Sequence, residues 1–194
     1  MIRMIQPSDY TCQVGIIICG FGPMFASKTT WAILQAKREV LVGKVLVFKH
    51  HSDVRYSSEE VLVTHDGENI QCIPVQSHEQ IKQIVEENPG VTAVIIDECQ
   101  FFDVGLVDVV VRFADKFAIR VYCVGLDLTF ERKPWPTTQA LMPVADEVHK
   151  LKAMCMQCKK RDAMFSKRVS DVTKLKHVSG AEDYTAVCRN CFNM

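Results

Sequence analysis

The chain has 194 residues, 23 lysines and arginines against 23 aspartates and glutamates, and 48% hydrophobic content. That length holds one well-cored domain of about 150 residues plus an appendage, and 24% charged with 8% aromatic residues excludes disorder, collagen and a disulfide-only miniprotein. Zero net charge removes the basic balance of a dedicated nucleic-acid binder, and no window approaches the roughly 18 uncharged apolar residues of a spanning helix. Residues 1–10 carry only Arg3 and Asp9 as charged side chains, which is not the pattern of a secretory leader, so a cytoplasmic or nuclear location is expected.

In chain order, residues 14–19 form an apolar, β-branched run that predicts a buried strand ending at Gly20. A glycine-punctuated loop follows, and from Thr30 the spacing of Ile33, Leu34, Ala36 and Leu41 predicts a helix stopped by Gly43. Residues 44–49 read as the next strand. Ser77 and Gln80 have the spacing of a capping box that opens a helix through Ile81, Ile84 and Val85, and Asn88, Pro89 and Gly90 stop it. Residues 91–96 predict a strand, residues 104–117 an amphipathic helix capped by Asp103, and residues 119–124 a strand ending at Gly125. Strands alternating with helices over residues 14–150 imply an α/β fold, a mainly parallel sheet with helices on both faces.

After Leu151 lysine and arginine become frequent and apolar runs vanish, so the chain divides into an α/β nucleotide-binding domain, 1–150, and a small segment, 151–194. A piece of about 40 residues needs a staple to hold its core. Of the nine cysteines, Cys12, Cys19, Cys72, Cys99 and Cys123 are scattered and read as small buried hydrophobes. Cys155 with Cys158, and Cys188 with Cys191, form two C-x2-C knuckles 29 residues apart, the ligand count of a closed tetrathiolate Zn²⁺ site; the alternative is four free thiols.

Gly22, Pro23, Met24, Phe25, Ala26, Ser27, Lys28, Thr29 and Thr30 follow a predicted strand and open a predicted helix, the context of a phosphate-binding P-loop. Backbone N–H groups would cradle phosphate, Lys28 would reach the β- and γ-phosphates, and the Thr29 hydroxyl would hold Mg²⁺. The competing reading is an ordinary strand-to-helix turn with a solvated lysine. Asp97 and Glu98 end an apolar strand, where open α/β sheets bind ligands. Asp97 suits organisation of Mg²⁺ and Glu98 a general base; alternatively the pair caps the following loop. Lys159, Lys160, Arg161, Lys167 and Arg168 read as a solvated face, with a nucleic-acid patch as the alternative.

Taken in order, these segments resemble the type II thymidine kinases of cells and large DNA viruses, a P-loop NTPase-like family with a zinc subdomain and a lasso loop. GPMFASKTT at 22–30 is similar to the family P-loop, KHHSDVRY at 49–56 to its K-x3-D-x-R-Y segment, and THD at 64–66 to its THD-like segment. DECQFF at 97–102 is similar to DEGQFF, LDLTFERKP at 126–134 to LDGTFQRKP, and SGAEDY at 179–184 falls at the lasso. The resemblance implies phosphoryl transfer from ATP–Mg²⁺ to the 5′-hydroxyl of thymidine, and of deoxyuridine, giving the monophosphate in nucleotide salvage. It implies Glu98 as general base, Lys28 at the phosphates and Arg55 at the transition-state charge. It places Met24, Phe101, Leu126, Phe130 and Tyr184 in the thymidine pocket, with Leu175, His177, Val178 and Ser179 lending groups to the base. It further implies structural zinc, a homotetramer and feedback inhibition by thymidine triphosphate, with neither nucleic acid nor membrane as partner.

Ser27, Cys99 and Leu128 stand where the family pattern has glycine. They are either positions of negative φ that tolerate a side chain or the mark of altered activity. Two other readings compete with the kinase: a nucleotide-binding homologue acting as a regulatory subunit, and an ATPase with a zinc-ribbon nucleic-acid module.

Overall fold

A computed structural model describes residues 15–52, 61–63, 67–169 and 183–194. Six parallel strands build its central sheet: β1 (Ile17–Phe21), β2 (Lys44–His50), β5 (Ile73–Val75), β6 (Val91–Asp97), β7 (Arg120–Gly125) and β8 (Glu147–Lys150). Their order is β5-β2-β6-β7-β1-β8, every neighbour parallel. β3 (Val61–Val63) and β4 (Asn69–Gln71) form a separate antiparallel pair.

The continuous apolar runs arise because both faces of the sheet are covered. Ile17, Cys19 and Phe21 of β1, Val94 and Ile96 of β6, and Val121 and Cys123 of β7 point to one side. There they meet α2 (His78–Glu86) through Ile81 and Val85, and α3 (Leu106–Phe117) through Leu106, Val109, Val110, Phe113 and Ala114. The intervening residues, Ile18, Ile95, Tyr122 and Val124, pack on Ala32, Ile33 and Ala36 of α1 (Lys28–Val40). Alternation at period two thus splits one hydrophobic run between two cores.

The predicted strands and helices recur with shifts at their ends, α1 opening at Lys28 instead of Thr30 and β1 at Ile17 among them. β1 runs through Gly20 to Phe21 because both residues are paired on two sides, to Val124 and Gly125 of β7 and to His149 and Lys150 of β8. α3 begins at Leu106, two residues later than expected, because Asp103 accepts from the Gly105 N–H at 2.8 Å and closes a local turn first. Ser77 makes no side-chain cap bond at α2; Gln80 reaches back instead to the Gln76 N–H at 2.7 Å.

After α4 (Pro136–Leu141) and β8 the chain forms two small antiparallel pairs, β9 (Ala153–Met154) with β10 (Asp162–Ala163) and β11 (Phe165–Arg168) with β12 (Tyr184–Val187), then α5 (Arg189–Phe192). Their core is largely alanine and cysteine: Ala153, Cys155, Ala163, Phe165, Ala186, Val187, Cys188 and Cys191. Side chains that small bury little apolar area, which is why the segment needs a staple. Among the described residues no helix is long and apolar enough to cross a membrane.

Candidate phosphoryl-transfer site and cysteine cluster

β1 delivers the 22–27 loop and β6 delivers Asp97 to the C-terminal edge of the sheet, although β7 lies between the two strands. Lys28 is the first residue of α1, and Ser27, its N-cap, sits at φ 52, ψ 33 in the left-handed region with no side-chain cap bond. The Lys28 ammonium donates to the Pro23 carbonyl at 2.9 Å. One residue further along, the Thr29 hydroxyl donates to Asp97 Oδ2 at 3.0 Å, joining positions 68 residues apart. The other oxygen, Asp97 Oδ1, accepts the Glu98 N–H at 2.9 Å. Asp97 is only 1% exposed and Glu98 only 7%. Buried carboxylates of this kind persist only when hydrogen-bonded.

Glu98 itself has φ 52. Its carboxylate accepts from the amide nitrogen of Gln100, which lies in the 3-10 turn Cys99–Phe101. Cys99 and Leu128 are absent from the positive-φ residues whereas Ser27 is among them. Of the three positions where a side chain replaces a family glycine, two are therefore ordinary backbone and one is strained. Burial raises the Cys99 thiol well above its usual range, as expected of a small core residue.

Three of the expected nucleoside-pocket residues sit in two aromatic clusters. Phe101 packs against His50 at 5.7 Å and edge-on to Trp135 at 5.9 Å. Phe130 and Tyr184 flank Arg168, whose guanidinium lies 4.5 Å from the Phe130 ring and 5.3 Å from that of Tyr184 and donates to the Tyr184 hydroxyl at 3.0 Å. Such stacked contacts favour arginine, whose flat guanidinium covers a ring face. The Leu126 N–H is bound by Gln100, and the Met24 N–H donates to Ser166 Oγ at 2.9 Å. Arg55, Leu175, His177, Val178 and Ser179 lie outside the described residues, as does the 64–66 segment.

The sequence alone assigns no role to Gln100, Ser166 and Trp135 and places Arg168 on a solvated face. Gln100 carried one signal, a polar residue three positions past the end of an apolar strand and two from a carboxylate. Arg168 carried none, because its aromatic neighbours come from positions 130 and 184.

The four knuckle sulfurs all lie within 4.8 Å of one another, with Cys158 and Cys188 at 4.0 Å. A tetrahedral zinc with Zn–S bonds of about 2.3 Å needs sulfurs about 3.8 Å apart, so the set fits a structural zinc with little movement. The N–H of Cys158 lowers the Cys155 thiol to about 6, and that of Cys191 lowers Cys188. Burial raises Cys191 to about 12. Cys155 Sγ also accepts the Cys188 N–H at 3.2 Å, bridging the two knuckles. The other described cysteines are buried and form no disulfide.

The cysteine segment touches the 22–27 loop directly. Ala26 lies within its hydrophobic cluster, and Gly22 runs against the Leu151 backbone so closely that an added Cβ would stand 2.4 Å from the Leu151 carbonyl oxygen.

The family model described as Thymidine kinase matches residues 15–192. The thymidine kinase of Myxoma virus (strain Lausanne) is 38% identical over 184 residues, covering 94% of this chain and 97% of the relative. That of Pseudothermotoga lettingae is 37% identical over 175 residues, covering 89% and 91%. Among solved structures, C. elegans PCH-2 matches 77% of this chain and 38% of its own with TM-score 0.42 and 17% identity. With a model spanning nearly the whole chain and full-length relatives in both a virus and a bacterium, the chain belongs to the thymidine kinase family.

Proposed function

We propose that the chain is an ATP-dependent thymidine kinase, transferring the γ-phosphate of MgATP to the 5′-hydroxyl of thymidine, and of deoxyuridine, to give the nucleoside monophosphate in salvage. The observation that carries this reading is the Thr29–Asp97 hydrogen bond, which sets the Lys28-bearing loop and Glu98 at one edge of the sheet. In the proposed reaction Glu98 takes the proton of the acceptor hydroxyl, whose oxygen bonds to the γ-phosphorus as the bond to the bridging oxygen of ADP breaks. Residues 22–30 cradle the phosphates, Lys28 and Arg55 offset the charge on the transferred group, and Thr29 with Asp97 organises Mg²⁺.

Met24, Phe101, Leu126, Phe130 and Tyr184 line an apolar nucleoside slot, with Leu175, His177, Val178 and Ser179 supplying groups to the base edge. A small slot read through its hydrogen-bonding edge excludes purines. The division at residue 150, with zinc on Cys155, Cys158, Cys188 and Cys191, belongs to the same reading. So do a cytoplasmic location and feedback inhibition by thymidine triphosphate. Assembly as a homotetramer is supported by apolar residues left exposed on and just beyond α1, Leu34, Val40 and Leu41, and by Val148 on the edge strand β8.

The test is MgATP-dependent phosphorylation of thymidine by purified protein, with Glu98→Gln alongside and deoxycytidine and deoxyadenosine as competing acceptors. Thymidine turnover that collapses in Glu98→Gln is the expected result. A folded, zinc-loaded sample that binds nucleotide but turns over no nucleoside would overturn it in favour of a regulatory homologue.

A further inference from the structure

Gln100 is 3% exposed and makes two hydrogen bonds in opposite directions. Its Oε1 accepts the Leu126 N–H at 2.9 Å. A backbone N–H can only donate, so that bond fixes the side-chain amide with its oxygen toward Leu126 and its nitrogen toward Glu98. The nitrogen donates to Glu98 Oε2. The amide therefore presents the carboxylate with a donor and never an acceptor. Space around it is closed as well: a Cβ on Gly125, the residue before Leu126, would stand 2.4 Å from Gln100 Oε1 and 3.0 Å from Cys99 Sγ. Glycine at 125 is what lets the Gln100 amide lie across the ends of β6 and β7.

We propose that Gln100 is the positioning residue for Glu98, fixing its carboxylate relative to the acceptor hydroxyl and tying it to Leu126 on the nucleoside slot. The inference rests on the reading of Glu98 as general base. Glu98 stands on a left-handed backbone position that alone does not define where a flexible side chain points. The Gln100 bridge removes that freedom by anchoring the carboxylate to the N–H of the strand-end segment that also lines the slot. A base and an acceptor held by the same element keep their separation when the site closes.

Two variants test this. Gln100→Glu keeps the shape and the acceptor for the Leu126 N–H but loses the donor to Glu98. Gln100→Met keeps the length and loses both bonds. In each, single-turnover and steady-state rates are measured for thymidine and MgATP, in the wild-type and the Glu98→Gln background. The expected result is a kcat about 10- to 100-fold lower with both KM values within about threefold. In the Glu98→Gln background the same substitutions cost nothing further, because a residue that acts only through Glu98 has nothing left to position. Losses that multiply in the double variants, that fall on KM, or that are absent would overturn the proposal. So would failure of Gln100→Glu to fold, which would make Gln100 a structural residue. Full activity in Glu98→Gln alone would instead remove the base assignment, an outcome read independently of the Gln100 variants.

Discussion

Ser27→Gly tests whether a side chain at the mouth of α1 is a burden or a support. Ser27 holds φ 52, ψ 33, and its hydroxyl makes no cap bond, so removing the side chain forfeits no hydrogen bond of the helix N-terminus. A residue with a Cβ costs about 1–2 kcal/mol in this region. Glycine returns about 0.5–1 kcal/mol of that through the larger entropy of its unfolded chain. The net expectation is a gain of about 0.5–1 kcal/mol. For 194 residues at about 2 cal/mol/K each, the unfolding entropy is about 0.4 kcal/mol/K, so Tm rises by about 1–2.5 °C in differential scanning calorimetry. Strain held in a loop conformation shared by the free and nucleotide-bound states cancels in binding, so the expected change in KM for MgATP is less than about twofold. A Tm that falls would show that the serine supports the turn by contacts other than a cap. A large improvement in KM without a gain in Tm would show that the loop reorganises on binding.

Cys155→Ser removes one sulfur of the tetrathiolate set and is expected to abolish stoichiometric zinc and expose the segment beyond Leu151 to limited proteolysis; a folded, zinc-replete variant would sink the metal assignment. Lys150→Met strips the cation that pairs with Asp127, which is only 3% exposed, and with the lysine itself partly solvated the expected loss is about 1–3 kcal/mol by denaturant titration. Adding Asp127→Asn in the same chain should restore most of that stability, and an undiminished loss in the double variant would refute the pairing.

Much of the fold was legible because a sheet covered on both faces writes itself as apolar runs, and the alternation of those runs with helical spacing fixes a parallel topology. The candidate phosphate loop and the Asp97–Glu98 strand end were legible for the same reason, since each is a local motif at a strand terminus. What the sequence hides is the contact between distant segments. Gln100 acquires its orientation from the Leu126 N–H just past the end of β7, and Arg168 becomes a stacked cation only when Phe130 and Tyr184 converge on it. The lengths of β1 and α3 escaped for a smaller reason. Gly20 and Asp103 carry local preferences for stopping and capping, and ladder pairing on both sides of β1 and a turn at Gly105 outweighed them.

Three residues with side chains occupy the left-handed region around the proposed site, Phe25 at φ 63 and Ser27 and Glu98 at φ 52. Such positions persist only where the surroundings over-determine them, and here the surroundings come from two sides. The sheet holds the start of the loop, with the Gly22 N–H donating to the Gly125 carbonyl at 3.3 Å. The cysteine segment holds its middle, through Leu151 against Gly22, Ser166 on the Met24 N–H and the cluster around Ala26. A segment whose alanine-rich core carries the four cysteines fit for a metal staple therefore forms one wall of the proposed phosphate loop. On this geometry the staple does more than close a small fold, because loosening the wall would release Met24 and Ala26 and with them the strained turn that aims Lys28. Loss of zinc should accordingly weaken MgATP binding before it unfolds the sheet, and equal sensitivity of both to a chelator would show that the wall carries no such burden.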